Sequence, residues 1–317
     1  MATLSPDLLG LSSLLGVALG IFVTTVIGRT VYLLTHPPRR TYASAVSKGK
    51  PGDPSELSPP DGPRRFETWT FTSRGNTLTV WDIPGDAPTG PVVIMSHGWG
   101  DSKLGALSRL EPFARHASRI IAWDLPGHGE SQGTTALGTH EIDDLLALIA
   151  MVRTPNVEIV LYGWSLGAGI SIAAAAADVR VRKARIAGVI AEAPYRLPQT
   201  PAKNVLREKK FPYLWNTPPA FWLLGLDLRV GLGWTRKGPF DRAVLAERLE
   251  CPLLVIHGEN DSISPIDDGR QIAAGSRQAT MIIAPGGGHS GLWNSDAGGT
   301  ICRRALREFF TSLKLQA

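Results

Sequence analysis

The sequence predicts an α/β fold, a mostly parallel sheet with helices on both faces. Three observations carry that expectation. Short apolar runs alternate with helical patterns from residue 66 to the C terminus. One run, 158–162, passes through Gly163-Trp164-Ser165-Leu166-Gly167 into an Ala-rich helical stretch at 166–177, which is strand, sharp turn, helix. Two later runs, 252–257 and 280–284, each open into a loop that carries a group able to do chemistry, Asp261 in the first and His289 in the second.

Ahead of the sheet, residues 8–27 are apolar, interrupted only by Ser, Thr and Gly, bounded by Asp7 and Arg29 and tailing into Val31-Tyr32-Leu33-Leu34. About twenty such residues match the hydrocarbon thickness of a bilayer, so 1–34 reads as a single transmembrane anchor. A cleaved signal peptide is the competing reading, with Ala43-Ser44-Ala45 as its cleavage site. It would want a basic leader, whereas Asp7 is the only charged side chain ahead of this core. Arg29, Arg39, Arg40, Lys48 and Lys50 follow the span, which by the positive-inside rule places the rest of the chain on the cytoplasmic side. Residues 35–65 are rich in Pro, Ser and Gly without an apolar period, and read as an extended, flexible tether.

Strands then follow at 66–72 and 77–83, joined by a turn at Ser73-Arg74-Gly75-Asn76, and at 92–95, 119–123 and 186–191. Helices are expected at 104–116, 141–152, 267–274 and 298–315. The last places Ile301, Ala305, Leu306, Phe309 and Phe310 on one face, to cover the sheet edge near the histidine loop. Between 196 and 238 the alternation stops. This insertion combines Phe211, Tyr213, Trp215, Phe221, Trp222, Leu226, Leu228, Leu232 and Trp234 with eight Lys or Arg (196, 203, 207, 209, 210, 229, 236, 237) against Glu208 and Asp227. Since the whole chain carries a net charge of +5, the rest is nearly neutral. The chain therefore divides into an anchor at 1–34, a tether at 35–65, a main domain at 66–195 and 239–317, and an insertion at 196–238.

At 317 residues, 43% of them hydrophobic, the chain can bury one large core. Only Cys251 and Cys302 are present, so neither a disulfide framework nor a zinc site is encoded, and no cofactor or metal is expected. The positive charge has no recognition helix or stacking-aromatic array beside it, which argues against nucleic acid.

The chemistry centres on Ser165. Gly163 and Gly167, two residues to either side, leave room for strand and helix to approach each other. The N–H of Leu166 points from the helix N-terminus toward any negative charge that develops beside the hydroxyl. A serine needs a base, and His289 follows three glycines that let its loop bend toward Ser165. His97, His128 and His257 sit at a strand end or in a tight turn and read as bracing groups. Asp261 would orient the imidazole, with Glu259 two residues away as the alternative.

In these motifs the chain resembles the α/β-hydrolase superfamily, and among its members the serine hydrolases of the lysophospholipase, monoacylglycerol lipase and serine aminopeptidase kind. Val92-Val93-Ile94-Met95-Ser96-His97-Gly98-Trp99-Gly100 is similar to that family's oxyanion loop, and Asp124-Leu125-Pro126-Gly127-His128-Gly129-Glu130-Ser131 to its D-x-x-G-H-G-x-S turn. The resemblance implies an eight-stranded sheet and a triad of Ser165, Asp261 and His289. It also implies oxyanion donors at the backbone N–H groups of Trp99 and Leu166, and a cap over the active site at 196–238. It makes a small-molecule or lipid ester the expected substrate, reached from a membrane through the N-terminal helix. Peptidases of the proline-iminopeptidase type, thioesterases and acyltransferases share the motifs, and a non-catalytic binding module shares the fold.

Overall fold

The computed structural model describes residues 6–57, 63–181, 186–226, 234–235, 238–294 and 296–313. In chain order the strands are β1 (Glu67–Ser73), β2 (Asn76–Pro84), β3 (Val92–Ser96), β4 (Arg119–Trp123), β5 (Ile159–Trp164), β6 (Ile186–Glu192), β7 (Trp234–Thr235), β8 (Gly238–Pro239), β9 (Leu253–Gly258) and β10 (Ala279–Ala284). Eight of them form one sheet in the order β1-β2-β4-β3-β5-β6-β9-β10, and β7 pairs with β8 apart from it. The first two are antiparallel to their neighbours, and every pairing from β4 onward is parallel.

The burial of the strands follows their place in the sheet. β3, β5 and β9 are buried at every residue, as interior parallel strands covered on both faces must be, and each reads as a continuous apolar run. The edge strands β1 and β10 are only partly buried. One face is covered by α3 (Leu107–Ala114) and α10 (Asp296–Leu313), whose Phe113 and Phe310 meet edge to face. The other is covered by α4 (Glu141–Val152), α5 (Leu166–Val181), α8 (Arg242–Ala246) and α9 (Ile266–Gly275). The run of alanines in α5 lets that helix lie close on β5.

Two local expectations change. The helix expected at 104–116 is a 3-10 turn at Lys103–Ala106 followed by α3, because Lys103 is drawn into the core by the Asp124 carboxylate. The terminal helix covers the sheet's face rather than its edge alone, with Phe309 lying under Gly188 of β6.

The N-terminal helix α1 (Pro6–Thr35) is continuous over 30 residues. Among the described residues, Ser12–Thr35 is the one helix long and apolar enough to cross a membrane, by length and composition only. Leu14, Leu15, Val17, Leu19, Ile21 and Phe22 are exposed, whereas Thr30, Leu34 and Thr35 are buried.

The segment read as an extended tether is instead folded against the domain over its described part. It forms α2 (Tyr42–Val46), with a capping box between Thr41 and Ser44, and a 3-10 turn at Pro54–Glu56. Arg39 Nη1 donates to the carbonyls of Gly129 (3.0 Å) and Ser131 (2.7 Å), and Arg40 pairs with Asp101 at 3.1 Å. The composition excludes a long helix or strand, but the same Ser, Thr, Asp and Pro residues supply caps and tight turns. Residues 58–62 lie outside the described residues.

The described part of the insertion holds α6 (Gln199–Glu208) and α7 (Thr217–Leu223), and α7 packs on α1. Of its charged and apolar residues, Asp227, Leu228, Arg229, Leu232, Arg236 and Lys237 lie outside the described residues.

Candidate active site

Ser165 stands at the joint of β5 and α5 with φ 52°, in the left-handed region that L-residues rarely adopt. A Cβ on Gly163 would overlap the Gly167 carbonyl, and one on Gly167 would overlap the Ser96 carbonyl of the neighbouring strand, so both positions require glycine. The Ser165 N–H is held by the Glu192 carbonyl at 2.8 Å.

The structure brings Ser165, His289 and Asp261 into one hydrogen-bonded chain. His289 Nε2 lies 3.0 Å from Ser165 Oγ, and His289 Nδ1 lies 2.7 Å from Asp261 Oδ2. A carboxylate that accepts from Nδ1–H leaves Nε2 unprotonated and facing the hydroxyl, so the arrangement can move a proton from Oγ to the imidazole. The loops that carry the two groups are joined directly. Asn260 N donates to Gly287 O at 2.8 Å, and Glu259 Oε2 accepts from Gly286 N at 2.9 Å. Glu259 thus caps the histidine loop instead of meeting the imidazole.

Asp261 Oδ1 accepts from the N–H groups of Ile263 (2.9 Å) and Ser264 (2.8 Å). Burial pushes the Asp261 carboxyl up, but hydrogen bonds from His257 and His289 outweigh it and hold the group well below the usual carboxylate range. His257 is buried, with Nε2 2.8 Å from the Ser264 carbonyl and 3.4 Å from Asp261 Oδ2.

The loop after β3, expected from the sequence to supply an oxyanion donor at Trp99, is held by His97. Its Nε2 accepts from the Leu125 N–H at 2.9 Å, so its proton is on Nδ1, which donates to the Gly98 carbonyl at 2.7 Å. In a trans peptide the carbonyl and the following N–H point in opposite directions. Holding Gly98 O therefore turns the Trp99 N–H away from His97. Leu166 opens α5, so its N–H is one of the helix-initial donors without an intrahelical partner. Burial pushes His97 down to about 4 and His128 down to about 3, so both are neutral braces near neutral pH. Asp124 serves the turn, accepting from Lys103 Nζ (2.7 Å) and from the Glu130 N–H (2.9 Å).

A cavity of about 630 Å3 opens over Ser165 and His289. Its walls come from Trp99, Leu137, Leu166 and Tyr195 of the main domain, from Ser262, Ile263 and Ser290 of the loops after β9 and β10, from Pro198, Pro201, Ala202, Val205, Glu208 and Lys209 of the insertion, and from Leu34 of α1. Lys209 Nζ lies 5.9 Å from the centre of the Trp99 ring. Sequence reasoning missed Leu34, Tyr195 and Leu137. Leu34 belonged to the apolar run assigned to the anchor, and only the packing of α1 separates its last turn from the rest.

Comparison with known proteins places the fold in a family. The family model for the alpha/beta hydrolase family matches residues 92–301. A pimeloyl-[acyl-carrier protein] methyl ester esterase of Chromobacterium violaceum is 27% identical over 237 residues, 63% of this chain and 88% of that protein. An AB hydrolase superfamily protein, YisY, of Bacillus subtilis is 25% identical over 253 residues, 68% of this chain and 90% of that protein. The structure of the Pyrococcus furiosus esterase Pf2001 has the same fold at TM-score 0.61 and 20% identity, covering 88% of this chain and 98% of that one. With that family model matching residues 92–301, well over half of its length, the chain belongs to the alpha/beta hydrolase family.

Proposed function

We propose that this protein is a membrane-anchored serine hydrolase that cleaves a carboxylic ester of lipid origin through an acyl-enzyme. The observation that carries the reading is the chain of contacts from Ser165 Oγ through His289 to Asp261, at 3.0 and 2.7 Å. Ser165 attacks the ester carbonyl as His289 Nε2 takes its proton, and Asp261 stabilises the imidazolium. The N–H groups of Trp99 and Leu166 receive the oxyanion. His289 then returns the proton to the departing alcohol, and a water, deprotonated by the same imidazole, releases the acid.

The substrate class rests on the cavity, whose walls are mostly Leu, Pro, Ala, Val and aromatic carbon, with Lys209 and Glu208 as its charged residues. A relative named as an ester esterase agrees with ester chemistry. Of the kinds of serine hydrolase that the motifs resemble, such a pocket favours lysophospholipase or monoacylglycerol lipase chemistry over an aminopeptidase. The exposed apolar side chains of α1 support anchoring by residues 1–34, and the basic residues that follow support a cytoplasmic catalytic domain. Residues 66–195 and 239–317 would then form the hydrolase domain, with 196–238 as its cap.

The test is labelling of the full-length protein by a fluorophosphonate, followed by a panel of esters, thioesters and aminoacyl amides. Labelling should map to Ser165 and disappear in Ser165→Ala, with ester turnover falling by several powers of ten. Labelling that survives in Ser165→Ala, or a preference for aminoacyl amides, would refute the assignment.

A further inference from the structure

We propose that the last turn of α1 is part of the active site. Leu34 is a specificity-determining wall of the substrate pocket, and its carbonyl positions the oxyanion loop. The inference rests on the hydrolase reading above.

Three sets of contacts carry it. Leu34 is only 2% exposed, and it lines the same cavity as Ser165 and His289. Its carbonyl accepts from the indole Nε1–H of Trp99 at 2.8 Å. The end of the helix is then held from two further sides. Asn216 Nδ2, in the turn before α7, donates to Thr30 Oγ1 at 2.7 Å, and the Thr135 N–H donates to the Thr35 carbonyl at 3.3 Å.

The chemistry of a helix end explains why these contacts form. The last four carbonyls of a helix have no intrahelical partner, and buried carbonyls need one. At the end of α1 the Leu34 and Thr35 carbonyls are satisfied by Trp99 and Thr135, not by solvent. Trp99 therefore has two duties. Its indole caps α1, while its backbone N–H is directed toward the oxyanion by the His97 brace on Gly98. Displacing Leu34 would free the indole and loosen the loop on which that N–H depends.

The same element links the pocket to the exposed apolar stretch of α1. Leu34 follows Phe22 by twelve residues, about 18 Å of helix rise. One helix thus presents apolar side chains outward at Phe22 and walls the catalytic cavity at Leu34, and it fits an ester whose chain lies along Leu34 and Trp99.

The test uses full-length enzyme in detergent micelles and p-nitrophenyl esters from acetate to dodecanoate, comparing wild type with Leu34→Trp, Leu34→Ala and Trp99→Phe. In Leu34→Trp the ratio of kcat/KM on decanoate to that on acetate should fall at least about tenfold, because space for two or more methylenes is lost. In Leu34→Ala the best chain length should move upward. Trp99→Phe should lower kcat by roughly ten- to a hundredfold, more than it raises KM, as a displaced catalytic group does. Wild-type chain-length profiles in both Leu34 variants, or a wild-type kcat in Trp99→Phe, would overturn the proposal while leaving the hydrolase reading standing. If wild-type enzyme hydrolysed none of the esters, it is the hydrolase reading that would fail.

Discussion

Trp293, four residues beyond His289, donates its indole N–H to Glu192 Oε2 at 2.6 Å. The backbone carbonyl of the same Glu192 holds the Ser165 N–H at 2.8 Å. One fully buried residue at the end of β6 therefore ties the histidine loop to the serine turn. Burial pushes its carboxyl up, but the Arg109 guanidinium, 2.5 Å away, more than compensates and holds it below the usual range.

Removing one partner of this carboxylate and removing the carboxylate itself should have graded effects. Trp293→Phe takes away one donor and should cost about 1–3 kcal/mol in urea unfolding. Glu192→Leu strands Arg109 in the core without its counter-charge and should cost about 3–5 kcal/mol. Both should reduce kcat through the position of His289. An order in which Trp293→Phe is the more damaging would contradict the central place given to Glu192.

The two carboxylates of the 259–261 loop are expected to differ sharply. Asp261→Asn offers His289 the wrong hydrogen-bonding partner and should lower kcat by up to about 10⁴-fold. Glu259→Gln keeps an acceptor for the Gly286 N–H and should change kcat by only a few-fold. Steady-state kinetics on one good ester distinguishes the two, and the reverse ranking would make Glu259 the acid.

Stability should fall on mild acidification. His97 at about 4 and His128 at about 3 stay neutral in the folded protein, while in the unfolded chain each binds a proton near the ordinary histidine value of about 6.5. Below that pH the unfolded state holds more protons. Stability then drops by up to about 1.4 kcal/mol per pH unit for each histidine, continuing down to about pH 4. Asp261 adds to the loss once the pH falls into the ordinary carboxylate range, where the unfolded chain takes up its proton, and continues to do so below it, because its folded-state value is depressed. Urea midpoints measured from pH 8 to 4.5 should decline below about pH 6.5. A flat profile would show that these rings are not buried neutral.

Full-length protein should sediment with membranes and resist carbonate and high salt, because the insertion energy of the exposed apolar side chains of α1 is not screened by ions. Recovery of a processed chain beginning near residue 45 would point to a cleaved leader instead. Removing α1 should also impair catalysis, since Leu34 and the Trp99 contact go with it.

What the sequence determined by itself was local. The strand–turn–helix around Ser165, the buried parallel strands and the span-length helix all follow from the order of apolar residues and glycines along a few turns of chain. The candidate residues Ser165, Asp261 and His289 could be named from the same local signals. Their meeting within hydrogen-bond reach depends on the loops after β9 and β10 docking on each other. Only the tertiary structure decided that residues 36–57 fold back on the domain, that Glu192 joins two loops, and that Leu34 belongs to the pocket. Composition could not reveal these, because each is a contact between segments far apart in the chain: 65 residues separate Leu34 from Trp99, and 101 separate Glu192 from Trp293. Such pairs satisfy buried carbonyls and carboxylates wherever packing happens to leave them. That requirement acts in three dimensions and leaves no period in the sequence.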